Sequence, residues 1–160
     1  MAKAAKALPD GYHTITPQLS LDNAAETIDW YKRALGAEEI GRSLGPDGKI
    51  MHAEIKIGNS RVMVNDVMPG CKGPREFGGS PASLWLYVEN SDALFNRAVG
   101  AGATVQMPME DQFWGDRAGA VADPSGYTWW IATRKEDLTT AELHQRADEF
   151  FKQMAQPTKG

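Results

Sequence analysis

Two stretches of this chain repeat one another, and that repeat limits its folds more than any other feature. Leu19-Ser-Leu-Asp-Asn-Ala-Ala25 and Leu86-Tyr-Val-Glu-Asn-Ser-Asp92 each carry an alternating strand into an acidic residue, then Asn, then a helical pattern. The first helix sets Ala24, Ile28, Tyr31 and Leu35 on one face; the second sets Leu94, Ala98 and Ala101 there, with Phe95 beside them. Both patterns stop at Gly-Ala, at Gly36-Ala37 and Gly102-Ala103, where helix C-termini favour a left-handed residue. Agreement in strand end, helix start, helix length and stop together points to duplication.

Three strand-like stretches follow each helix. In the first half they cover about 37–44, 49–57 and 61–66, separated by the turns Gly45-Pro-Asp-Gly48 and Gly58-Asn-Ser60. In the second half they cover about 103–109, 115–122 and 127–133, with Asp123-Pro-Ser-Gly126 as the last turn. The expected fold class is therefore α+β. Two βαβββ modules form a curved, partly closed mixed sheet around a cleft, with a C-terminal helix added. The expected divisions are a flexible tail over 1–11, a first module over 12–66 and a Gly/Pro-rich linker or flap over 67–82. A second module over 83–134 and a helix over 135–156 complete one structural domain. The tail lacks the long apolar core of a signal peptide. The last helix opens with the capping box Thr139-Thr-Ala-Glu142 and carries Leu143, Ala147, Phe150, Phe151 and Met154 as an apolar stripe. That stripe packs either on the domain or on a second subunit.

Composition narrows the partners. The net charge is −4, and the 17 Lys and Arg residues are scattered, which argues against nucleic acid. No stretch approaches the ~20 apolar residues of a membrane span. One cysteine, Cys71, excludes an internal disulfide, and a cytoplasmic location is expected. A lone thiol in a linker is expected to be inert despite Lys72 beside it.

Several motifs resemble the vicinal-oxygen-chelate superfamily, which includes glyoxalase I, bleomycin-resistance proteins and extradiol dioxygenases. They are Ile28-Asp-Trp-Tyr31, Leu35-Gly-Ala37 and Asp123-Pro-Ser-Gly-Tyr127. Within that superfamily, Gly11-Tyr-His-Thr14, His52-Ala-Glu54, Asp111-Gln-Phe-Trp-Gly-Asp-Arg117 and Trp130-Ile-Ala-Thr-Arg-Lys-Glu-Asp137 resemble the PhnB-like branch. The resemblance covers roughly residues 12–134 and implies a ligand cleft and a homodimer. It also implies four metal-ligand positions, which fall on Thr16, at or beside Val64, on Ser83 and on Trp130. None of these four is a His or a carboxylate, so no metal and no other cofactor is expected.

Period-two alternation assigns the faces of the strands. Met51, Ala53, Ile55 and Ile57 should cover the first helix, which turns His52, Glu54 and Lys56 toward the cleft. Ile15, Leu19 and Leu21 should pack inward and leave Thr16, Gln18 and Ser20 on the cleft side. Leu84, Leu86 and Val88 pack inward and leave Ser83, Trp85 and Tyr87, and the last strand offers Thr128 and Trp130. The candidate ligand-binding residues are thus Thr16, Gln18, Ser83, Trp85, Trp114, Arg117 and Trp130.

His52 and Glu54, two apart on one strand, are the candidate catalytic pair, because a carboxylate can orient an imidazole for proton transfer. The other readings are a polar pair with Lys56 and Arg61, or two ligands of a displaced metal site with His13. Arg117 either grips an anionic ligand or pairs with Asp116 to buttress a hairpin. Trp85, Trp114 and Trp130 either stack on a planar ligand or belong to the core. The function expected is binding of a small, planar or amphipathic molecule; the alternative is a glyoxalase-related lyase or isomerase using His52 and Glu54.

Overall fold

The structure, a computed structural model, describes residues 5–155. Residues 1–4 of the expected tail and residue 156 of the expected last helix lie outside the described residues. The first module is β1 (Gln18–Leu21), α1 (Ala24–Leu35), β2 (Glu38–Leu44), β3 (Ile50–Ile57) and β4 (Ser60–Asp66). The second is β5 (Ser83–Tyr87), α2 (Ser91–Gly100), β6 (Thr104–Asp111), β7 (Asp116–Ala122) and β8 (Thr128–Arg134), followed by α3 (Thr140–Met154). The fold is α+β, and the eight strands form two separate four-stranded sheets, ordered β1-β4-β3-β2 and β5-β8-β7-β6. In each sheet the strand before the helix pairs parallel to the last strand of its module, and the other pairs are antiparallel. The duplication inferred from the repeat is therefore one of topology as well.

The repeated Asn residues explain why both helices start where they do. Asn23 accepts from the Glu26 backbone N–H and Asn90 from that of Ala93, so each satisfies a donor the helix leaves free. Gly36 ends α1 at φ 69°, a left-handed conformation that a side chain would strain. Asp66, at the end of β4, accepts from the backbone N–H groups of Ala24 and Ile50, tying α1 to β3.

α1 is buried on more than one side. Ala24, Ile28 and Leu35 belong to the core, and Thr27, Trp30 and Tyr31 are buried as well. Thr27 meets Ser125, the Trp30 indole donates to the Ala101 carbonyl, and Tyr31 lies edge-on to Trp129, so this second side faces the second module. The inner residues of both sheets, including Ile55, Val64, Val121 and Ile131, join one continuous core. The helices thus lie between the sheets, and each sheet turns its other face outward. The inner faces of both sheets share this core, and grooves lined by residues of both modules lie beside β1 and β5.

Other expectations need correction. Ile15 is 86% exposed, because β1 begins only at Gln18 and the alternation has no sheet to act on before it. Met51 is exposed and Ile50 buried instead, because the β2–β3 register shifts between Ser43 and Leu44. The segment 67–82, expected as a linker or flap, carries an isolated Met68–Cys71 bridge and a 3-10 turn over Pro74–Phe77.

Candidate functional site

The open face of the second sheet is built in rows across β5, β8 and β7. Trp85 lies beside Trp130 and then Ala120; Tyr87 lies beside Ala132 and then Ala118. Register alone therefore places two indoles side by side. They stack with centroids 4.8 Å apart and planes 3° from parallel. Trp114 meets Trp85 edge-on at 6.2 Å, and Tyr87 stacks on its other flank at 6.1 Å. Beneath and beside the rings, Ala118, Ala120 and Ala132 are fully buried, so small side chains leave the large ones room to lie flat. Trp85 and Tyr87 remain 42% and 57% exposed. A flat apolar surface with polar atoms at its edge suits a planar ligand.

The polar edge is Asp116, which is 2% exposed at the start of β7. Its Oδ2 accepts from the Tyr87 hydroxyl at 2.9 Å and from the Trp114 indole N–H at 3.1 Å. Its Oδ1 is buried without a partner. Burial, and the Asp116 carboxylate beside it, push the Tyr87 phenol above its ordinary range.

The open face of the first sheet carries the other cluster. His52 Nε2 lies 3.5 Å from Glu54 Oε1, and Arg61 donates to Glu54 Oε2 at 3.1 Å. The Tyr12 hydroxyl beside Glu54 holds its carboxyl below the usual range, with His52 and Arg61 adding to the effect. A carboxylate held in this way is a weaker proton acceptor. Arg61 also lies over the Tyr12 ring at 5.1 Å. Nearer β1, Gln18 donates to Asn65, and Asn65 donates to Ser20.

The nine residues singled out in the sequence therefore fall into four places. Thr16, Gln18, Ser83 and Trp85 line one groove of about 610 Å³ beside the edge strands β1 and β5. Trp85, Trp114 and Trp130 form the aromatic cluster. His52 and Glu54 lie on the other sheet, and among the described residues no hydrogen bond, ion pair or ring contact joins them to the indoles. Arg117 stands apart on the helix side of β7, where Nε and Nη2 grip both oxygens of Asp92 in the first turn of α2. Its ion pairs are with Asp92 and Asp111 rather than Asp116.

Asp116 was weighed only as a partner for Arg117 and the alanine floor was not singled out, although Asp116, Ala118, Ala120 and Ala122 alternate along β7 and carry that signal. Tyr12 was missed because nothing local to an irregular segment predicts its approach to Glu54.

The four positions at which the resemblance implies metal ligands can be tested directly. The Thr16 hydroxyl donates to the His13 carbonyl, Val64 lies in the core, Ser83 is exposed, and the Trp130 ring is stacked. The neighbours of Val64 are Met63 and Asn65. These side chains do not fit the His and carboxylate donors that a resident divalent ion takes. Among the described residues no three His, Cys, Asp or Glu side chains gather in a metal-binding group.

Comparison with known proteins agrees with this architecture. The model of the Glyoxalase/Bleomycin resistance protein/Dioxygenase superfamily matches residues 13–131. An uncharacterized protein of Mycobacterium bovis is 44% identical over 134 residues, covering 81% of this chain and 88% of its own. Among solved structures, TnmS3, an antibiotic-binding protein from Streptomyces, superposes with a TM-score of 0.62 at 18% identity, over 81% of this chain and 99% of its own. A PhnB protein from Bacillus cereus superposes with a TM-score of 0.59 at 18% identity, over 76% and 99%. At such identities these two structures show the shared fold alone.

Proposed function

Because the chain belongs to the glyoxalase/bleomycin resistance protein/dioxygenase superfamily, we propose that it binds a small planar molecule on the Trp85–Trp130 face. The observation that carries this reading is the indole stack itself, set on alanines and left partly open. Antibiotic binding by TnmS3, which shares the fold, is consistent with it. No resident metal takes part. The proposed cup is completed by a second copy of the chain. The first-sheet face of one protomer, with Gln18, His52 and Glu54, lies opposite the aromatic face of its partner. The exposed apolar residues of the open faces, Ile40 on one and Trp85, Tyr87 and Met107 on the other, support such a pairing. So does α3, which buries none of its own residues and presents Phe151 and Met154 to solvent. Among the described residues no helix is long and apolar enough to cross a membrane. A cytoplasmic, freely dissolved dimer is the setting proposed.

The test is a titration of the protein with a panel of planar aromatic compounds, followed by tryptophan emission. Saturable quenching that is lost in Trp130→Ala is expected. Quenching indifferent to that substitution, or none across the panel, would overturn the reading.

One observation favours the enzymatic alternative, a lyase or isomerase, namely the His52–Glu54 contact at 3.5 Å. In that reading His52 moves the proton and Glu54 orients the ring, while the aromatic face holds the substrate. A measured turnover unchanged by His52→Ala would exclude it.

A further inference from the structure

The aromatic face accounts for the flat part of a ligand; Asp116 says what stands at its edge. We propose that Asp116 is an anchor for a hydrogen-bond donor, a protonated amine or ring N–H carried on the rim of the planar molecule. This rests on the reading of the Trp85–Trp130 face as a binding surface. The Asp116 side chain is 2% exposed, and its Oδ2 is already occupied by Tyr87 and Trp114, both members of the aromatic cluster. Its Oδ1 has no partner at all. Arg134 sits directly across from it on β8, but Nε of that guanidinium engages Asp137 at 2.7 Å. Glu110, on the same face through its pairing with Ala118, adds negative charge rather than a donor.

A buried carboxylate oxygen without a donor is costly to maintain, and a ligand donor arriving there would recover that cost. Tyr87, more than half exposed, and Trp114 both hold Oδ2, which leaves Oδ1 for the incoming donor. The ligand class that satisfies both the stack and the anchor is a planar aromatic cation with an amino or ring N–H donor. A planar anion meets the stack and is repelled at the rim.

Two probes of similar shape separate the stack from the anchor: proflavine, a planar cation bearing amino groups, and anthracenesulfonate, a planar anion. Asp116→Asn keeps an amide oxygen for Tyr87 and Trp114 but turns the free atom into a donor. By calorimetric titration, proflavine should bind the unsubstituted protein more tightly than anthracenesulfonate. Asp116→Asn should weaken proflavine by about tenfold or more and leave anthracenesulfonate unchanged or tighter. Tyr87→Phe, which removes one of the two donors to Oδ2 and leaves the carboxylate less satisfied, should tighten proflavine. If both probes bind and both need Trp130, but Asp116→Asn weakens neither, the anchor is overturned and the aromatic face stands. If neither probe binds, the aromatic face fails and the anchor falls with it. If Asp116→Asn instead shifts the assembly mass in sedimentation, the oxygen is answered by a partner chain, which also overturns the anchor.

Discussion

Tyr31 on α1 donates its hydroxyl to Asp123 Oδ2 at 2.6 Å, across the boundary between the two modules. Asp123 also accepts from the Trp129 indole and from the backbone N–H groups of Ser125 and Tyr127. One carboxylate thus shapes the β7–β8 turn and fastens it to the first helix. Burial pushes the Asp123 carboxyl up, and burial together with that carboxylate pushes the Tyr31 phenol well up. Asp123→Ala should cost about 3–5 kcal/mol, because four donors lose their acceptor inside the core. Tyr31→Phe should cost about 1–2 kcal/mol. Urea unfolding midpoints would measure both, and a neutral Tyr31→Phe would show that the boundary is held by packing alone.

Acid should loosen the joint between β2 and α1. Arg42 beside Glu39 holds its carboxyl down at about 2, against an ordinary 4.5, and Lys32 of α1 reaches the same carboxylate at 2.8 Å. A depressed pKa gives stability that is complete above the unfolded value and is lost as pH falls toward the folded one. Glu39→Gln should therefore destabilise by about 1 kcal/mol at neutral pH, allowing for the partial exposure of the pair. The difference should shrink below pH 4.5 and vanish near pH 2. A gap that persisted at pH 2 would assign the loss to packing.

Gly119 has no room for a methyl group. A Cβ there would come within 2.8 Å of Met109 Sδ, 2.9 Å of Phe95 Cε2 and 3.1 Å of the Met107 carbonyl oxygen. Gly119→Ala should cost about 1–3 kcal/mol, since α2 and β6 both have to shift. Thermal melts would show it, and an unchanged midpoint would mean that Met109 and Phe95 move aside freely.

Removing residues 140–160 should alter assembly more than folding. α3 touches the rest of the chain mainly through Phe150 and Phe151 on Phe113, and through Arg146 on Glu136. The truncated chain should keep a cooperative melt and shift toward monomer mass in sedimentation velocity at micromolar concentration. An unchanged dimer would place the contact elsewhere.

The repeat and the helix faces were legible because they rest on local rules: Asn23 and Asn90 cap, Gly36 stops, and alternating residues choose a side. Met51 and Ile15 show where such rules end. A register shift and a strand that starts late are both set by pairing partners, which alternation does not contain. The site was legible one face at a time. Trp85 and Trp130 could be placed toward a cleft from their own strands, but their mutual stacking depends on the β5–β8 register. That His52 stands on a different sheet from them, without a contact, depends on how the modules dock, through contacts such as Trp30 to Ala101 that no single segment encodes. Arg117 was ambiguous for the same reason, since Asp92 stands 25 positions away in the chain.

On the proposed reading a lone chain carries two unmatched half-sites, one on the open face of each sheet. In the proposed pairing, every complete cup draws on two polypeptides, and a dimer contains two of them. A chain damaged at Trp130 and a chain damaged at His52 would each assemble only defective cups with copies of themselves. Mixed together they would build one doubly damaged cup and one intact cup in the same molecule, so two inactive populations would restore function by exchanging partners.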